Sequence, residues 1–199
     1  GRVTAGVRGM KLKDGDSVVG MIATSNEDTH VLTLSKYGMA KRSRLGDGEM
    51  HDIEPTVKDE KTGKNKQYRD GYRKTNRGAG GVATMKLDEE HKDEIVRVHT
   101  IPDLGDQLFI LTGKGMMIRV RADQTKETSG KSTKGTRVME LRDKEKGGFV
   151  DEIIFTARLP AELIDEEDEF DSLDTNQDGV IDREEFDAAQ QEIVGGEEE

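Results

Sequence analysis

Cysteine and tryptophan are absent from the 199 residues, proline occurs three times, and aromatics make up only 4%. Without cysteine there are no disulfides and no thiolate zinc sites, which agrees with a reducing compartment. No apolar run approaches the roughly 18 residues of a membrane-spanning helix. Scarce aromatics make base stacking on single-stranded nucleic acid a poor expectation. The apolar class is only 32% against 37% charged. A single thick core is therefore not expected, and thin, repeated sheet-on-sheet cores fit better. A secretory leader pattern is missing too, but Gly1 opens inside a repeat, so the chain reads as a piece of a longer one.

What the chain does have is repetition. Val7-Arg8-Gly9-Met10-Lys11-Leu12 returns as Gly81-Val82-Ala83-Thr84-Met85-Lys86-Leu87 and again as Gly135-Thr136-Arg137-Val138-Met139-Glu140-Leu141. A β-branched run follows each copy: Asp16-Ser17-Val18-Val19-Gly20-Met21-Ile22, Asp93-Glu94-Ile95-Val96-Arg97-Val98 and Asp151-Glu152-Ile153-Ile154-Phe155. Two copies continue into a third element, Val31 to Met39 and Phe109 to Met116. A recurring supersecondary unit of this size signals propeller blades or an array.

Charge is divided just as sharply. Residues 1–150 hold 29 Lys and Arg against 23 Asp and Glu, a net of +6, while residues 151–199 hold 2 against 19, a net of −17. The chain thus joins a basic repeat region to an acidic tail.

The period-2 pattern predicts strands near 3–12, 17–24, 30–35 and 38–43, then 81–87, 94–101, 107–112 and 115–121, then 136–141 and 149–157. The first two repeat copies lie 75 residues apart (Met10 to Met85) and the next two 54 (Met85 to Met139). The polar stretch at about 47–70 accounts for the difference as a loop insertion. The units are therefore a blade over 1–77 carrying that insertion, a second blade over 78–130, and a truncated closing repeat over 131–158. Beyond Pro160 the periodicity becomes helical, with an EF-hand segment over 159–194 and an acidic, disordered end over 195–199. The fold class is mainly β, a partial pinwheel or propeller followed by a small helical segment.

These residues carry a family resemblance over about 1–158. Thr4-Ala5-Gly6-Val7-Arg8-Gly9-Met10-Lys11-Leu12, Gly15-Asp16-Ser17-Val18-Val19-Gly20-Met21 and Tyr37-Gly38-Met39-Ala40-Lys41-Arg42 resemble consecutive strands of the C-terminal DNA-wrapping domain of the bacterial DNA gyrase A protein. Arg77-Gly78-Ala79-Gly80-Gly81-Val82 and Gly130-Lys131-Ser132-Thr133-Lys134-Gly135-Thr136-Arg137-Val138 fit the same pattern. The resemblance implies a six-bladed β-pinwheel with a basic perimeter that wraps duplex DNA, of which this chain would be the last third. It implies as partners the rest of the gyrase A protein and the gyrase B protein, a parent topoisomerase using ATP and Mg2+ elsewhere, and a cytoplasmic, nucleoid-associated location. Topoisomerase IV shares the blades and stays open as the parent. Asn76-Arg77-Gly78-Ala79-Gly80-Gly81 lacks the leading Gln-Arg pair of the gyrase-specific box, and Tyr37, Tyr68 and Tyr72 lack the context of the DNA-cleaving tyrosine. No catalytic residue is assigned.

Lys and Arg neutralise phosphates and release counterions without reading sequence. The candidate double-stranded DNA contacts are Arg8, Lys41, Arg42, Arg44, Arg73, Lys74, Arg77, Arg119, Arg121, Lys131, Lys134 and Arg137, placed after the outer strands or where a repeat begins. No helix-turn-helix or zinc module is present for base readout.

The acidic tail holds a second motif. Asp174-Thr175-Asn176-Gln177-Asp178-Gly179-Val180-Ile181-Asp182-Arg183-Glu184-Glu185 fills an EF-hand loop without a gap. Asp174, Asn176 and Asp178 supply oxygens at alternate positions, Val180 a backbone carbonyl, Asp182 a ligand often reached through water, and Glu185 a bidentate carboxylate. Ile181 takes the apolar position through which such loops usually pair. The expected cofactor is Ca2+. Ser129-Gly130-Lys131-Ser132 lacks the upstream glycine of a phosphate loop, and His30, His51, His91 and His99 show no metal spacing. The rival reading is a calcium-binding β-repeat interaction module that does not act on DNA.

Overall fold

A computed structural model describes residues 5–129, 133–143, 145, 147–164 and 180–181. Its centre is two antiparallel hairpins built to one plan. The first pairs β1 (His30–Ser35) with β2 (Met39–Arg44), and the second pairs β6 (Gln107–Thr112) with β7 (Met117–Arg121). The polar stretch between them is not a plain loop, since β3 (Met50–Asp52) and β4 (Gln67–Arg69) form a small separate hairpin within it.

Corresponding residues shape the two turns. The Ser35 hydroxyl accepts the Met39 N–H at 3.3 Å, and the Thr112 hydroxyl accepts the Met116 N–H at 3.2 Å. Each hairpin then receives a strand from the following repeat: β5 (Ile95–Ile101) on β1, and β9 (Ile153–Leu159) on β6. Both additions are antiparallel, and both bulge at the same place, between Leu34 and Ser35 and between Leu111 and Thr112. The docking chemistry is duplicated as well. Asp93 Oδ1 accepts the N–H groups of Tyr37 and Glu94, and Asp151 Oδ1 accepts those of Lys114 and Glu152. In each case one donor is the amide of the hairpin turn and the other is the aspartate's own next neighbour, so the turn amide fixes register: a one-residue slip would take the carboxylate away from it.

The resulting sheets have the orders β5-β1-β2-β8, with β8 at Thr136–Arg137, and β10-β7-β6-β9, with β10 at Val180–Ile181. Sheets therefore cross the sequence repeats: β5, which follows the second repeat copy, pairs into the first sheet. Leu32, Leu34, Ala40, Ile101, Leu108, Ile110, Val120 and Ile153 join the two sheets in one apolar cluster. Asp106 is buried, pairs with Arg158 at 2.7 Å and accepts the Ala161 N–H at 2.9 Å, which holds the chain just past β9.

Four strand predictions depart from the structure, two of them within residues 5–24. Residues 5–24 and 81–87 form no strand, and 136–141 shortens to Thr136–Arg137. For the strand predicted at 17–24 the cause is pairing. Asp93–Val98 and Asp151–Phe155 each dock on the hairpin that precedes them, whereas among the described residues no hairpin precedes Asp16–Ile22. Val7, Met10, Leu12, Val18, Val19 and Met21 are exposed, so Met10 is not core, although Met85 is buried. The helical EF-hand prediction over 159–194 lies outside the described residues, except for residues 159–164, with a short 3-10 turn at Ala161–Leu163, and the strand β10. The acidic end at 195–199 lies outside them as well.

Candidate nucleic-acid interface

Both faces of the first sheet are covered, and this changes the reading of its charges. Every residue from Val31 to Ser35 is buried, with no exposed alternate. Lys41 and Arg42 lie within β2 rather than after it, and are only 1% and 6% exposed. Arg42 shares a face with Leu32, its register partner. Its Nε donates to the Thr125 carbonyl at 3.0 Å, and its Nη1 lies 3.4 Å from Glu127. That guanidinium stitches β2 to residues 125–128, which is a structural task. Lys41 points to the opposite face, where its ammonium donates to the Thr84 carbonyl. Burial pushes its pKa below the ordinary lysine value.

Lys41 also lines a cleft of about 1030 Å³ between β2, residues 68–73 leaving the small hairpin, and residues 81–84. Arg44, Arg69 and Arg73 line it too, against two carboxylates, Asp70 and Glu127. Tyr68 and Tyr72 complete the polar wall, the latter bonded through its hydroxyl to the Thr84 hydroxyl at 2.5 Å. Arg44 spans Asp28 at 2.7 Å and Asp70 at 2.9 Å, so its charge is already shared. Arg69 donates to the Gly48 carbonyl at 2.6 Å. It is absent from the sequence-based candidates because it falls in the stretch set aside as an insertion.

The cleft's wall depends on two glycines. Gly46 and Gly71 have positive φ (+65° and +68°) and cross at backbone distance, so that a Cβ on Gly71 would collide with the Leu45 carbonyl. Only glycine fits that crossing without strain.

The other candidates are on the surface. Arg8, Arg73, Lys74, Arg77, Arg121, Lys134 and Arg137 are exposed, and Arg119 is half-buried in β7. Several carry acidic neighbours: Lys74 meets Glu27 at 3.4 Å, Arg121 meets Asp123 at 2.8 Å, and Arg137 meets Glu140 at 2.6 Å. Exposed pairs of this kind are weak and screened by salt, which leaves the cations able to turn to phosphate. Arg73 lines the cleft, and Lys74 and Arg77 follow it on the same exposed stretch of chain, whereas Arg121 and Arg137 belong to different sheets. Lys131 lies outside the described residues, as do Asp174, Asn176, Asp178, Asp182 and Glu185, and Val180 is described only as part of β10.

Two histidine–carboxylate groups come together that sequence spacing does not reveal: Asp47, His51 and Asp70, and Asp88, Glu90 and His91. Each histidine contacts a carboxylate, His51 Nε2 that of Asp47 at 2.8 Å and His91 Nδ1 that of Asp88 at 3.1 Å. The Glu49 N–H first, then His51, hold Asp47 below the usual carboxylate range, and His91 does the same for Asp88. Among the described residues no helix is long and apolar enough to cross a membrane.

The family described as "DNA gyrase C-terminal domain, beta-propeller" matches residues 1–25, 70–102 and 106–146. The DNA gyrase A protein of Campylobacter jejuni subsp. jejuni serotype O:2 is 31% identical over 169 residues, covering 84% of this chain and 16% of that protein. This chain thus spans about a sixth of the length of that curated relative. Among solved structures, the C-terminal domain of DNA topoisomerase IV superposes with a TM-score of 0.57 at 19% identity, covering 79% of this chain and 39% of that one. The Escherichia coli ParC C-terminal domain gives 0.51 at 20% identity, covering 76% and 49%. At that identity the two structures establish the fold, a mainly antiparallel β-pinwheel arrangement.

Proposed function

This chain belongs to the DNA gyrase C-terminal β-propeller family, and from that membership we propose that it binds duplex DNA along its backbone and helps to bend it as part of a gyrase A protein. The observation that carries this reading is the set of exposed, weakly paired cations arranged on a duplicated sheet framework, with Arg73, Lys74 and Arg77 on one stretch that leaves the cleft. Such a surface exchanges local carboxylates for phosphates and needs no base readout. Lys41, Arg44 and Arg69 reinforce the positive potential from within the cleft, and Arg42 holds the strand that carries Lys41. The partners under this reading are double-stranded DNA, the rest of the gyrase A protein, and the gyrase B protein. ATP and Mg2+ are used elsewhere in the parent, which works in the cytoplasm at the nucleoid.

The second element of the reading is a calcium site in the loop from Asp174 to Glu185, supported by its complete oxygen-donor pattern. Titrating labelled duplexes and single strands across a salt series tests the DNA reading. It expects duplex preference, little sequence preference and a steep loss of affinity with salt. Salt-insensitive binding, or none at low salt, would end it. Calcium titration of the full chain, with Glu185→Gln as control, tests the metal reading.

A further inference from the structure

The two sheets end differently. In the first, the free edge of β2 is closed by β8 from the third repeat copy, with Ala40 opposite Thr136 and Met39 opposite Arg137. In the second, the same edge of β7 is closed by β10, with Met117 opposite Ile181 and Ile118 opposite Val180. Ala40 and Met117 are equivalent positions, since each follows its hairpin turn opposite a leucine, Leu34 or Leu111. No fourth repeat copy follows within these 199 residues. The strand that closes the second sheet is instead the middle of the calcium loop, at the seventh and eighth loop positions.

In EF-hands the eighth position is the apolar one through which two loops pair as short antiparallel strands. This sequence contains one such loop. Its Ile181 is 2% exposed and sits in register with Met117, on the face that Met117 shares with Leu111 and Phe155. We propose that the edge of β7 serves as the pairing partner of the calcium loop, in place of a second EF-hand, so that calcium binding and closure of the last sheet are one coupled equilibrium. The inference rests on the calcium reading above. Its physical link is Val180, whose carbonyl is the loop's backbone ligand by motif and whose peptide stands in the ladder opposite Ile118. Whatever fixes that peptide for the metal also fixes it for the strand, and coupling of this kind is reciprocal. An edge strand otherwise presents unpaired N–H and C=O groups. The strand affected carries Arg119 and Arg121, two of the candidate phosphate contacts.

The test uses the full chain and calcium chloride alone. Hydrogen exchange of the amides in Met117–Arg121, with and without calcium, reports closure, and calorimetry reports affinity. Calcium is expected to slow exchange in this strand by about fivefold or more. Met117→Ser, which alters the blade side only, is expected to weaken calcium binding by about tenfold. Calcium binding with unchanged exchange in β7 would overturn the inference and leave the metal reading standing. If no calcium binds, both fall. Should Met117→Ser fail to fold, exchange in the native chain decides alone.

Discussion

The burial of Arg42 beside the exposure of Arg73 and Arg77 permits a contrast that charge counting alone would miss. Arg42 donates to the Thr125 carbonyl at 3.0 Å and is 6% exposed. Arg42→Gln leaves that buried acceptor without its charged donor, at a cost of about 2 kcal/mol. In a chain of this size that lowers Tm by about 4–8 °C. It leaves the electrolyte dependence of DNA binding unchanged, because the guanidinium cannot reach a phosphate. Arg73→Gln/Arg77→Gln does the reverse. Both side chains are exposed, so Tm holds, while each lost phosphate contact makes the slope of log K against log salt shallower by about 0.9. Two contacts give about 1.8, so over a fourfold rise in salt the native chain loses about twelvefold more affinity than the double variant. Anisotropy titrations with a duplex of about 40 base pairs, run alongside thermal melts, separate the two variants. A folded Arg42→Gln with a shallower slope, beside an unaltered slope in the double variant, would refute the assignment.

Gly71→Ala places a Cβ against the Leu45 carbonyl at a positive φ, and should cost more than about 2 kcal/mol in thermal melts, with faster proteolysis of the 47–70 hairpin. His99 supplies a pH test. Burial first, then Arg158 and Arg97, lower its pKa from 6.5, and its Nε2 lies 2.7 Å from the Thr156 hydroxyl. The fold therefore favours neutral His99. Its contribution is complete above pH 6.5 and is lost as pH falls from there through the lower folded-state value. Tm should drop as pH falls below 6.5, and His99→Gln should flatten that drop, whereas an identical profile would show that His99 is not its source.

Much of this architecture was legible in the sequence because hairpins write themselves locally. His30–Ser35 and Gln107–Thr112 are apolar runs followed by glycine turns, and both became strands where expected. The exchange of strands between repeats was less legible, because a period reveals recurrence but not which copy pairs with which. Its signal was the Asp-Glu-Ile triplet at 93–95 and 151–153, whose aspartates each accept one amide of the hairpin turn they dock against, Tyr37 or Lys114. The charges were hardest. Lys41 and Arg42 read as surface because alternation assumes one wet face, and this sheet is covered on both. Arg69 was overlooked because it becomes part of the cleft only when a hairpin brings it back across the sequence.

The central claim is that this framework holds duplex DNA in a bent path, and ring closure measures that directly. A linear duplex of about 150 base pairs, close to one persistence length, circularises slowly with ligase. Adding the chain at low salt should accelerate closure in proportion to the DNA bound, and raising the salt should reverse the gain. Saturated binding with an unchanged closure rate would contradict the account.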